Sequence, residues 1–193
     1  RAAGNYRLAW GSPCLDAGQS DGWMYGGEDL DGDLRIWNDE VDIGAYELPI
    51  LHVSPDGDSV APYATWTDAA TNPVDAAAVK RAHCAIWVAE GIYPISAQIS
   101  LTGSVTFVSV NGAANTTIRG NGATRWFDIG YGSCVIDGFT IERGVTNFGS
   151  GGAAYITRGG TIQNCIIRSN TAVMGGGVFL YASGVVDRCV LAV

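Results

Sequence analysis

The chain has 193 residues, of which 27 are glycine, a length suited to one large domain or two modest ones. With 47% hydrophobic residues it is too apolar to be disordered, yet no apolar run reaches the roughly 18 residues that a membrane span requires. Nineteen acidic residues against eleven basic ones, with Lys80 the single lysine, give a net charge of −8 and no basic patch for nucleic acid.

The first informative stretch holds three short segments, Ser12–Gly18, Asp29–Arg35 and Val41–Glu47. In the middle one, Asp29, Asp31 and Asp33 alternate, with Asp42 close behind. Carboxylates spaced this closely repel one another unless a hard cation takes their oxygens, so Asp29, Asp31, Asp33 and Asp42 are candidate Ca²⁺ ligands. An EF-hand loop beginning at Asp29 would need glycine at position 34, where Leu34 stands, whereas the glycine here is Gly32. A plain Asp-Gly turn with Arg35 paired to Asp42 is the other reading of the same residues.

These three segments, in this order, resemble the closing module of bacterial β-helix proteins of the choice-of-anchor type. The resemblance implies that residues 1–47 are the closing module of one solenoid. Residues 48–65 then form a linker, and residues 66–193 the start of another solenoid. Within that start, Asn72 is placed to cap a helix, Pro73 suits its first turn and Asp75 its positive end. The alanines that follow extend the predicted helix over 73–82. An amphipathic helix there would cover the unpaired backbone of a first coil. A strand from Ala85 and a turn at Gly91 come next.

The second half repeats itself. Val135–Ile141, Thr161–Ile167 and Val185–Leu191 align, with Phe139, Cys165 and Cys189 in equivalent places 26 and 24 residues apart. Short β-branched runs with glycine-rich corners at that period suit one coil of a solenoid. Phe139, Cys165 and Cys189 lie two residues before Ile141, Ile167 and Leu191, the spacing of neighbours on one strand face. Ile136, Ile162 and Val186 lie three residues earlier, which breaks the alternation and predicts a bend at Asp137–Gly138, Gln163–Asn164 and Asp187–Arg188. The fold class expected is all-β, a right-handed parallel β-helix with a short N-terminal capping helix. The run Ile162–Asn170 followed by Gly175–Gly177 resembles the repeats of bacterial surface β-helix proteins, including the polymorphic outer-membrane type. That resemblance is specific for fold and nearly silent on activity, because this architecture hosts adhesins, lyases, hydrolases and inert spacers.

Five cysteines without a CxxC pair argue against zinc and exclude a complete disulfide framework within the chain. Cys165 and Cys189 are expected to stack as buried thiols on successive coils. Polysaccharide cleavage is the enzymatic reading to weigh. Asp137 and Asp187 are equivalent, but two rungs of about 4.8 Å separate them, too far for a retaining pair and at the edge for an inverting one. Glu142 and Arg168 fall on adjacent rungs, one position apart in register, and suit a cross-strand ion pair. Trp87, Trp126, Phe127, Tyr131, Phe148, Tyr155 and Tyr181 would bind carbohydrate if exposed in a row, and fill the core otherwise. The function expected is a structural, extracellular or cell-surface β-helix, a stiff rod for adhesion. The alternative is a carbohydrate-active β-helix with its catalytic coils outside this segment. The chain opens without methionine and its last repeat stops within a coil, so the sequence reads as a window of a longer chain or as a subunit that assembles head to tail into filaments.

Overall fold

The computed structural model describes residues 6–9, 11–37, 40–122 and 124–192. The chain divides into two compact units, Arg1–Ile50 and Leu51–Val193. Among its described residues the first has little regular structure beyond a 3₁₀ turn at Gly22–Met24 and the isolated bridges Glu28–Leu34 and Trp37–Glu40. Its interior is built around Trp37 and Val41, with the Trp37 indole Nε1 donating to the Ile50 carbonyl at 2.7 Å.

The second unit is a parallel β-solenoid. Its strands in chain order are β1 (Ile50–Val53), β2 (His83–Val88), β3 (Gly91–Ile95), β4 (Ile99–Ser109) and β5 (Thr116–Gly120). They continue as β6 (Phe127–Gly132), β7 (Val135–Asp137), β8 (Thr140–Glu142), β9 (Val145–Ser150) and β10 (Ala154–Gln163). The last are β11 (Ile166–Arg168), β12 (Thr171–Met174), β13 (Val178–Asp187) and β14 (Val190–Ala192). One sheet stacks β1, β2, β4, β6, β10 and β13, with β7 paired to β4 and β10. A second stacks β3, β5, β8, β11 and β14, and a third pairs β9 with β12. No helix among the described residues is long and apolar enough to cross a membrane.

Stacking in register turns the sequence repeat into ladders. Ile86, Phe107, Ile136, Ile162 and Val186 face one another on successive rungs, and so do Tyr93, Ile118, Ile141, Ile167 and Leu191. The bends expected from the broken alternation are present: Gly138, Asn164 and Arg188 all have left-handed backbone, with φ of 79°, 53° and 47°. At the next corner Asn170 explains why that residue closes the repeat. Its side-chain carbonyl accepts from Gly144 N at 2.7 Å, and its amide donates to the Ile141 and Arg168 carbonyls at 2.9 Å. One side chain therefore satisfies backbone of two neighbouring coils where the sheet ladder stops.

The glycine corners have a comparable cause. Gly103, Gly132 and Gly159 have φ of 85°, 114° and 71°, and each packs on backbone of the coil below. A Cβ at Gly132 would lie 1.8 Å from the Gly103 carbonyl oxygen, and one at Gly159 2.6 Å from that of Gly132. Only glycine allows both the left-handed turn and the close approach.

The helix, α1 (Pro73–Val79), packs on β2, β3 and β4. Asn72 caps it, accepting from Val74 N at 2.8 Å, and Pro73, Ala76 and Ala77 are buried. It ends earlier than the expected residue 82, because Lys80 turns extended with ψ 149° and leads toward β2 at His83. Residues 48–65, read from sequence as a linker, carry β1, whose Leu51, His52 and Val53 are buried.

Candidate functional site

Two places in the molecule concentrate polar chemistry, and each lies within one unit. In the first unit, Asp29 acts as the hub of its turn. Its Oδ1 accepts from Asp31 N at 2.7 Å and Asp33 N at 3.0 Å, and its Oδ2 accepts from Glu47 N at 2.8 Å. Gly32, at φ 80°, completes the turn. Asp31 forms an ion pair with Arg7. Asp33 accepts Asp29 N through its backbone carbonyl at 2.7 Å. Arg35 donates to the Gly44 carbonyl at 2.7 Å, not to Asp42.

Asp42 is instead brought to Asp16 and Glu47. Three of their carboxylate oxygens, one from each residue, lie within 4.8 Å of one another. The segments are joined by Gly18 N donating to the Val41 carbonyl at 2.7 Å and Ile43 N donating to the Cys14 carbonyl at 2.9 Å. A Cβ on Gly18 would sit 2.7 Å from that Val41 oxygen, so glycine is what lets the two segments meet. Asp42 Oδ1 accepts from Asp16 N, and Oδ2 from Leu48 N, both at 2.8 Å. Glu47 Oε2 accepts from Asp42 N at 3.1 Å. Burial is the main cause that raises all three carboxyls. For Asp42 it outweighs the two backbone hydrogen bonds, and for Asp16 the Asp42 charge adds to it. Burial, with the charges of Asp42 and Asp16 adding, pushes Glu47 up to about 8. Asp16 and Glu47 were missed from the sequence as acidic neighbours of Asp42, although both lie inside the segments singled out there.

In the solenoid, carboxylates serve neighbouring coils. Glu142 stands level with Arg119 on one rung and Arg168 on the next, accepting from their Nε atoms at 2.6 and 2.9 Å. The Glu142–Arg168 pair is directly in register, and Arg119 extends it to an Arg–Glu–Arg ladder. Asp137 accepts from Gln163 Nε2 and Asn164 Nδ2, each at 2.7 Å. Asp187 pairs with Arg188 at 2.9 Å. Burial alone would raise the Glu142 carboxyl, but the hydrogen bonds from Arg119 and Arg168 outweigh it and hold the group below its ordinary value. A carboxyl depressed on folding adds stability above its unfolded value, near pH 4.3, and loses it as pH falls toward the folded value. The melting temperature of the wild type should therefore fall more steeply between pH 5 and pH 3 than that of Glu142→Gln. Parallel acid limbs for the two proteins would contradict this.

The aromatic residues divide. Trp126 and Phe127 are core, and Trp87 packs edge-on against His52 at 5.7 Å. Tyr155 stacks on Phe179 at 5.5 Å and on Tyr181 at 6.4 Å, with the Arg125 guanidinium 4.9 Å from its ring centre. Tyr131 and Tyr181, each 69% exposed, flank a trough of about 260 Å³ that Thr157 and Arg158 also line. Two rungs, roughly 9–10 Å, separate the strands that carry these tyrosines. All five cysteines are free thiols. The Cys165 thiol donates to the Gln163 carbonyl at 3.1 Å, and its hydrogen bond with Cys189, together with burial, pushes it up.

Fold and sites together define a parallel β-solenoid preceded by a compact, acidic, loop-built unit. In comparisons with protein-family models, curated proteins and solved structures, nothing matches the chain.

Proposed function

We propose that the chain is part of a bacterial extracellular or cell-surface protein in which the coils form a stiff structural rod for adhesion or head-to-tail assembly. The observation that carries this reading is the use of the coil carboxylates. Asp137 and Glu142, two acids on the stacked strands, each have both oxygens engaged by side chains of adjacent coils. A general acid or base must present its oxygen to a substrate proton, whereas an Arg–Glu–Arg ladder ties rung to rung. Incubation with a panel of acidic polysaccharides tests it. The expected result is no release of unsaturated or reducing ends, and such release would overturn the structural reading in favour of a carbohydrate-active β-helix.

The trough between Tyr131 and Tyr181 favours a second, compatible reading, in which the rod contacts saccharide. Exposed tyrosine rings stack on sugar faces. Arg158, whose guanidinium makes no hydrogen bond or ion pair among the described residues, suits an acidic sugar. If the adhesive surface lies here, Tyr181→Ala should abolish retention on immobilised acidic polysaccharide without changing the melting temperature. Unchanged retention removes the trough from the proposal.

A further inference from the structure

We propose that Asp16, Asp42 and Glu47 form a Ca²⁺ site in the N-terminal unit. Two independent observations converge on it. The first is the cluster itself, with one carboxylate oxygen from each residue inside a 4.8 Å sphere of mutual distances. The second is Glu47, which is only 4% exposed and whose Oε1 is buried with no hydrogen-bond donor. A buried carboxylate oxygen without a donor is costly, and a cation shared with the neighbouring carboxylates would satisfy it.

The local geometry supports the cation. Asp42 is held by backbone N–H groups from Asp16 and Leu48, and Glu47 by the N–H of Asp42, so their orientation is set without the ion. Orientation of this kind by surrounding hydrogen bonds is what metal ligands require. Arg35 is the basic group whose charge reaches Asp42 and Glu47, and its guanidinium is committed to the Gly44 carbonyl. Three carboxylates against one guanidinium leave two negative charges, which one divalent cation balances. The ligands are all hard oxygens, which suit Ca²⁺ or Mg²⁺ better than the softer zinc and copper ions. Coordination habit separates those two: Ca²⁺ accepts irregular carboxylate sets such as one gathered by loops, whereas Mg²⁺ demands near-ideal octahedral geometry and keeps several of its waters. Asp16 is exposed and gives the ion a route in, with waters completing the shell.

The site differs from an Asp29–Asp31–Asp33 loop, whose Asp31 carboxylate is already neutralised by its ion pair with Arg7. Calorimetric titration of the EDTA-stripped full chain with CaCl₂ tests the assignment. One equivalent should bind, Mg²⁺ should bind at least tenfold more weakly, and Ca²⁺ should protect residues 20–47 from proteolysis. Glu47→Gln and Asp16→Asn should each weaken binding at least tenfold, while Asp31→Asn binds as the wild type does. Glu47→Gln puts a neutral amide of nearly the same shape where burial disfavours the carboxylate, so without Ca²⁺ it should resist proteolysis at least as well as the wild type. Asp16 is at the surface, so its variant keeps the test valid if Glu47→Gln misfolds. The proposal is overturned by no heat of Ca²⁺ binding in the wild type, by full affinity in both Glu47→Gln and Asp16→Asn, or by loss of binding in Asp31→Asn alone.

Discussion

Truncating Phe107 to alanine is expected to cost the solenoid about 3–5 kcal/mol, the range for deleting a buried phenylalanine. Phe107 is fully buried, with its ring 5.0 Å from Phe139 and 5.5 Å from Phe127. It also stands in the ladder between Ile86 and Ile136. A cavity there removes packing from three coils at once, and the stacked strands cannot close over it without shifting their hydrogen-bond ladder. For a domain of this size the loss corresponds to a fall of roughly 10–20 °C in melting temperature. Phe107→Leu, which refills most of the volume, should recover more than half of that. Equal melting temperatures for Phe107→Ala and the wild type in a thermal scan would place the ring outside the core.

Gly132→Ala is expected to be nearly as damaging through the opposite fault. The added methyl would lie 1.8 Å from the Gly103 carbonyl oxygen on the coil below, at a residue whose φ is 114°. The obstacle is backbone in a neighbouring rung, so no side-chain rotation relieves it. Overpacking of this kind costs about 1–3 kcal/mol and the disallowed backbone adds about 1–3 kcal/mol more. The corner should open, with faster amide exchange in β6 and β7 and a lower melting temperature. Gly130→Ala, two residues away, meets a methyl of Thr102 at 3.1 Å and is expected to cost much less. A Gly132→Ala protein as stable as Gly130→Ala would refute the close-packed corner.

The repeats reveal the solenoid because each coil repeats the same problem. Inward residues recur at strand spacing, and the displaced Ile136, Ile162 and Val186 mark bends where left-handed residues now stand. The helix was legible from its cap, since Asn72 and Pro73 act through local backbone geometry. Its end was not, because the extended Lys80 follows from where β2 must begin. The ion pair of Glu142 with Arg168 was legible as a contact between adjacent rungs, but the repeats suggested an offset of one position where the strands pair them directly, and Arg119 joins only through the pairing of β5 with β8. The acidic cluster shows the limit most clearly. Asp42 stood out beside Asp29, Asp31 and Asp33 because charge density along the chain is visible in sequence. Its nearest carboxylates in space are Asp16 and Glu47, gathered by backbone contacts between segments more than twenty residues apart that only glycine at position 18 permits. Periodicity and capping are local and are written in residue order. Which carboxylates meet, and which tyrosines flank one trough, depend on non-local pairings, and those the tertiary structure alone decided.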